Sequence, residues 1–250
     1  MPEKPAVAPW HFKAVTHVLQ SCKMPSGRFD PAGSWEHTYN IHFLNIRGSS
    51  KALLRDRQPV EPNGVLKIAS APTGGAVELR VDATAIMAGD RTTAHIRCNR
   101  DALCSPTAWD LHFTNQGRES TPYVTFTKTG AVVDGTLMKD GKAAKRTKRL
   151  AAYTCDWSLF DAVQRLALGS VTSALGFDLV EYLDVVRENQ VLKHRGKTQI
   201  HCAGKDVDAQ EYLQYGDGVL PTQYFVDGNG RLFMVLGSRR LYVLVEEKLS

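Results

Sequence analysis

An imidazole and a phenol two residues apart on one strand face form a candidate proton-transfer pair, and this sequence holds one at His37 and Tyr39. Trp35, His37, Tyr39, Ile41 and Phe43 alternate with Glu36, Thr38, Asn40 and His42. A strand here turns both groups toward the apolar side and leaves the other face wet. A neutral imidazole there accepts a proton and the phenol donates one, or both hydrogen-bond a polar ligand. Burial lowers the imidazole pKa unless a carboxylate compensates. Trp35 adds the aromatic surface that suits a carbohydrate. The alternative is a core histidine whose nitrogens are satisfied by its neighbours.

Other polar groups promise less. Asp110 and His112 share one strand face opposite Trp109, Leu111 and Phe113, which turns the pair to water. His95 with Arg97, and His194 with His201, lack the helix spacing or carboxylate cluster of a metal centre, so no metal is expected. Lys139, Lys142, Lys145, Arg146, Lys148 and Arg149 crowd one turn. They read either as a solvated hairpin tip or as a seat for an acidic polysaccharide or an anionic membrane surface. Lys145 and Arg146 are the ligand-binding candidates among them. No nucleophile elbow, phosphate-binding loop or dinucleotide fingerprint occurs, and no cofactor is expected.

The elements that must position these groups follow from composition and pattern. With 250 residues, 43% of them hydrophobic and 23% charged, the chain can bury a real core and is not a disordered sequence. A net charge of +5, without a recognisable module, argues against nucleic acid as a partner. No run approaches the roughly 20 apolar residues of a membrane-spanning helix. Of five cysteines, Cys98 and Cys104 either close a small disulfide loop or stay as buried thiols. The opening residues 1–10, rich in Pro and Ala, read like the start of a mature exported chain behind a methionine. A periplasmic or secreted location is the expectation.

Strand texture runs from about Gly33 to Tyr153, with candidates at 65–69, 77–81, 93–98, 109–114, 123–127 and 131–137. Asn63-Gly64, Gly74-Gly75, Asp134-Gly135 and Asp140-Gly141 accept the positive φ of tight turns, and Asp134-Gly135 reads as a turn or as a bulge within a strand. Strands joined this closely are antiparallel. Residues 156–166 then carry Trp157, Phe160, Val163 and Leu166 at helical spacing, with Thr154 or Asp156 as cap and Gly169 beyond the end. Residues 177–186 fit a helix or a strand. Strands return at 197–202, 209–215, 223–226, 231–236 and 241–246, with a strong turn at 227–230. The expected fold is mainly β: residues 1–32 form an N-terminal extension, and 33–250 form one strongly curved antiparallel half-barrel. A helical insertion near 156–168 packs on its concave face.

The stretch Gly216-Asp217-Gly218-Val219-Leu220-Pro221-Thr222-Gln223-Tyr224-Phe225-Val226-Asp227-Gly228-Asn229-Gly230-Arg231-Leu232, followed by Gly237 and Tyr242, resembles exported bacterial families of unknown function. Those families in turn resemble half-barrels of the lipoprotein-localisation-factor type. The resemblance implies a curved sheet with helices across its mouth and an exported location; it carries no catalytic residues. The functional expectation is a ligand-binding or carrier-like protein that cups an amphipathic lipid, saccharide or other small molecule. Trp35, Lys145, Arg146 and Tyr224 serve as binding groups. The alternative is a carbohydrate-active enzyme, a polysaccharide lyase or hydrolase, with His37 and Tyr39 as its catalytic pair.

Overall fold

The computed structural model describes residues 15, 18–20, 23–43, 61–85, 89–116, 123–144, 149–169, 171–237 and 240–249. Cys22, Lys145 and Arg146 lie outside the described residues. The short-period alternation produces strands β1 (Trp35–Phe43), β2 (Gly64–Thr73), β3 (Ala76–Ala85), β4 (Asp90–Asn99) and β5 (Pro106–Asn115). They are followed by β6 (Val124–Val133), β7 (Thr136–Lys139), β8 (Lys142–Ala143) and β9 (Tyr153–Cys155). Helix α1 (Asp156–Leu168) then leads to β10 (Leu175–Glu181), β11 (Val185–Cys202) and β12 (Lys205–Tyr215). The chain ends through β13 (Thr222–Asp227), β14 (Leu232–Gly237) and β15 (Arg240–Leu249).

All fifteen strands belong to one curved, open sheet in the order β8-β7-β6-β5-β4-β3-β2-β1-β15-β14-β13-β12-β11-β10-β9. Neighbours consecutive in sequence pair antiparallel, as their short connections require. The seam between the two wings is the pairing of β1 with β15, which sets His37 opposite Glu247 and shifts register between Thr38 and Tyr39. Among the described strands only β9 and β10 pair in parallel, and α1 is their crossover. Among the described residues, the edge strands β8 and β9 do not join by a backbone ladder. Side chains tie edge strand β9 to the β4–β5 connection: Ser105 Oγ donates to Tyr153 O (2.7 Å), and Thr154 Oγ1 to Leu103 O (2.6 Å).

Several local expectations change. Asp134 (φ 48°) and Gly135 (φ 76°) form a two-residue turn, so 131–137 is the end of β6 and the start of β7 rather than one bulged strand. Residues 177–186 are strand and turn, because the ladder to β9 satisfies the backbone that a helix would have bonded internally. Cys155 is the helix cap in place of Thr154 or Asp156, its Sγ accepting from Ser158 N at 3.4 Å. Both faces of β1 are covered in its middle, since Thr38 and His42 are buried beside the expected apolar set. Cys98, Cys104 and Cys155 are buried free thiols, and Cys202 is buried as well.

Helix α1 buries more than a stripe. Phe160 meets Tyr39 of β1, Tyr224 of β13 and Tyr242 of β15 edge-on, at 5.3, 6.4 and 5.8 Å between ring centres. Its polar residues are buried too, and each has a partner, as burial demands. Ser158 Oγ lies 3.4 Å from Cys98 Sγ and 3.0 Å from Cys155 Sγ. Asp161 accepts from Ser70 Oγ (2.9 Å) and Arg165 Nε (2.6 Å). Gln164 Oε1 accepts from Leu232 N (3.0 Å), and Gln210 Nε2 donates to the Ala167 carbonyl near the helix end (3.2 Å). The helix thus touches strands of both wings.

Candidate functional site

The alternation in β1 places Trp35, His37 and Tyr39 on one side, as expected, but in the interior of the protein. His37 and Tyr39 are fully buried. His37 Nε2 lies 3.0 Å from Glu247 Oε2 across the β1–β15 ladder, and Nδ1 lies 3.2 Å from Tyr39 Oη. Tyr39 Oη donates to Leu232 O at 2.9 Å. Arg231, just before β14, donates from Nε to Glu247 Oε2 (2.7 Å) and from Nη2 to Glu247 Oε1 (2.9 Å), a bidentate pair. Its Nη2 also donates to Gly27 O at 2.8 Å. Phe29 covers the group, 5.1 Å from the His37 ring and 5.4 Å from the guanidinium.

Burial lowers the His37 pKa, and the bond and charge of Glu247 oppose that shift without cancelling it. Burial pushes Glu247 up, but hydrogen bonds from His37 and Arg231 prevail and hold the carboxyl below its ordinary range. Tyr39 rises well above a normal phenol, first through burial and then through the Glu247 charge. In the neutral state the Nε2–H tautomer donates to Glu247. The single Tyr39 proton is then shared between Leu232 O and His37 Nδ1. His37, Tyr39, Glu247 and Arg231 bond chiefly to one another, and His37, Tyr39 and Trp35 line neither of the two cavities described next.

The first cavity, about 390 Å³, opens at the N-terminal end of α1. Trp157 and Phe160 come from the helix, Tyr224 and Val235 from β13 and β14, and Arg240 and Tyr242 from β15. Asp156, Glu181 and Gln214 supply further polar atoms, while Tyr182 and Leu220, 51% and 62% exposed, lie on the lining at the surface. The second cavity, about 280 Å³, is framed by Phe43, Leu111, Phe113 and Phe126. Trp157, Tyr182 and Arg240 belong to both linings, so the two spaces meet at that trio.

The electrostatics of the first cavity are uneven. Burial raises Asp156 to about 7, against the bond its Oδ2 accepts from Tyr182 N (2.6 Å). Burial pushes Tyr182 to about 12 and Tyr224 well above a normal phenol. Glu181 is engaged by Arg187 Nε at 2.8 Å. Tyr182 and Leu183 hold φ of 50° and 56°, a conformation unfavourable for bulky residues. Their turn is anchored by Asp184, which accepts from Lys128 Nζ (2.9 Å) and Lys139 Nζ (2.5 Å).

Among the residues expected from sequence, Tyr224 lines the first cavity, its hydroxyl donating to Gln214 Oε1 at 2.9 Å. His37 and Tyr39 are brought together, yet outside the linings of both cavities. Lys145 and Arg146 are outside the described residues. Asp110 and His112 are exposed, His112 bonding Thr127 and Thr114. Sequence reasoning missed Asp156, Tyr182, Gln214 and Arg240. The available signal was Arg240 and Tyr242 at strand spacing, which puts a cation and a phenol on one face.

No family model matches this chain, and no curated protein matches it. Among solved structures, it is similar to a β-barrel-like protein of the domain of unknown function DUF1849 from Brucella abortus. That match has 10% identity and a TM-score of 0.48, and covers 87% of this chain and 98% of that one. A DUF1089 family protein from Pseudomonas aeruginosa matches at 12% identity and a TM-score of 0.40, over 84% of this chain and 94% of that one.

Proposed function

We propose that this chain is a ligand-binding, carrier-like protein that holds a small organic molecule inside its curved sheet. In this reading α1 lies on the concave side, and the cavity at its N-terminal end is the seat. One observation carries the proposal: a cavity of about 390 Å³ is walled by aromatic rings from the helix and from the C-terminal strands, with a few polar atoms among them. That size and that mixture characterise small-molecule sites. Aromatic walls suit both ligand classes anticipated from sequence, the amphipathic and the carbohydrate. The cupped form is also what the resemblance to lipoprotein-localisation-type half-barrels implies, and export belongs to the same proposal. The seat moves from Trp35, His37 and Tyr39 to Trp157, Phe160, Tyr224 and Tyr242, because the first group is packed shut. No observation favours the enzymatic alternative, whose two catalytic groups are buried and line neither cavity.

The test is binding of the neutral fluorescent probe N-phenyl-1-naphthylamine. Val219 is half-buried on the lining, so Val219→Trp fills the space at little cost to the core. Saturable probe fluorescence in the unmodified protein, reduced at least tenfold in affinity by Val219→Trp, is expected. Equal binding by both proteins, or binding by neither, overturns the proposal.

A further inference from the structure

Arg240 is an exposed residue whose side chain reaches the rim of both spaces. It lines both cavities, at the trio where they meet. The other cation on the cavity walls, Lys128, is held by Asp184 at 2.9 Å. Among the described residues no carboxylate lies in ion-pair range of Arg240. Its guanidinium stands over the Phe43 ring at 5.6 Å and makes one long contact, Nη1 to Tyr242 Oη at 3.5 Å. A guanidinium has five N–H donors, so most of this one's edge is free to meet a ligand.

We infer that the first cavity takes an organic monocarboxylate with a flat aromatic body, its carboxylate on Arg240 and its ring among Trp157, Phe160, Tyr224 and Tyr242. This rests on the ligand-binding reading above and names the ligand's chemistry. Three features converge on that class. The planar fork of a guanidinium matches a carboxylate with two parallel hydrogen bonds. The site has one uncommitted cation with Asp156 and Glu181 on the same wall, so a single negative charge is accommodated and a second is opposed. The walls already pack ring edge to ring face: Phe160 stands at 89° to Tyr224 and 85° to Tyr242, and Trp157 at 66° to Tyr182. A flat ring extends that pattern, whereas a flexible chain gains nothing from it.

The experiment compares 2-naphthoate with its neutral counterpart 2-naphthylmethanol by calorimetric titration at pH 6. The unmodified protein is expected to bind the carboxylate at least tenfold more tightly. Arg240→Met is expected to abolish that preference while retaining the alcohol, and Arg240→Lys to restore part of it, with melting temperatures within about 2 °C of the parent. Equal affinity for the two probes in the unmodified protein, or a preference that survives in Arg240→Met, overturns the assignment of Arg240 and leaves the ligand-binding reading standing. Failure to bind either naphthyl probe or N-phenyl-1-naphthylamine removes both readings together.

Discussion

Replacing Arg231 by Met separates the structural account of the His37 network from every other reading of it. The Arg231 side chain is fully buried and that of Glu247 is 6% exposed, so their mutual pairing has replaced water for both. Met keeps much of the side-chain volume but removes both bonds to Glu247, the bond to Gly27 O and the guanidinium that stands over Phe29. Glu247 is then left with His37 as its one remaining partner in the network. Breaking a buried pair from one side costs about 3–5 kcal/mol. For a chain of this size each kcal/mol lowers the melting temperature by about 2–4 °C, so a drop of roughly 6–20 °C is expected. Urea unfolding followed by the fluorescence of buried Trp35 and Trp157 measures it. In the variant the His37 pKa should also rise, because the Arg231 charge that opposes its protonation is gone and Glu247 remains. The double variant Arg231→Met with Glu247→Leu should recover part of the loss, with a coupling above about 0.5 kcal/mol. A melting shift under about 2 °C for Arg231→Met, or strict additivity in the cycle, refutes the argument.

Phe160→Ala removes the ring at the centre of three aromatic contacts and should cost about 3–5 kcal/mol in urea unfolding. A Cβ on Gly130 would overlap the Trp109 indole that lies on it across the β5–β6 ladder, so Gly130→Ala should cost about 1–3 kcal/mol by the same measurement. Asp156 holds its proton up to about pH 7 in the folded chain but only to about 4 when unfolded, so its contribution is complete below pH 4 and is lost as pH rises to 7. Asp156→Asn should therefore stabilise the protein at pH 8 relative to pH 4, read from paired melting curves. The groups facing this carboxyl are Glu181, Tyr182, Tyr224 and Arg240, and its ionisation repels a bound anion. Affinity for 2-naphthoate should fall as pH rises through about 7 in the unmodified protein and stay flat across that range in Asp156→Asn.

Local chemistry in the chain determined local structure. Period-two hydropathy marked β1 and most later strands, Asp-Gly pairs marked turns that need positive φ, and helical spacing of Trp157, Phe160, Val163 and Leu166 marked α1. Neighbouring strands came out antiparallel because their connections are too short for anything else. The pairing of β1 with β15 at the centre of the sheet was not legible, since it joins residues about two hundred positions apart that no local pattern couples. That pairing decides the fate of His37. Its face was readable, but Glu247 and Arg231 reach it only through strand register and turn an apparent proton-transfer pair into a sealed network. The cavity was equally a tertiary product. Arg240 begins one strand, Tyr182 sits in a turn whose helix-or-strand character was ambiguous, and Trp157 belongs to the helix. Each is ordinary in sequence; only the crossover from β9 through α1 to β10 carries the helix start and that turn to Arg240. Side-chain type therefore determined what chemistry each position offers, and long-range pairing decided which of those groups meet around open space.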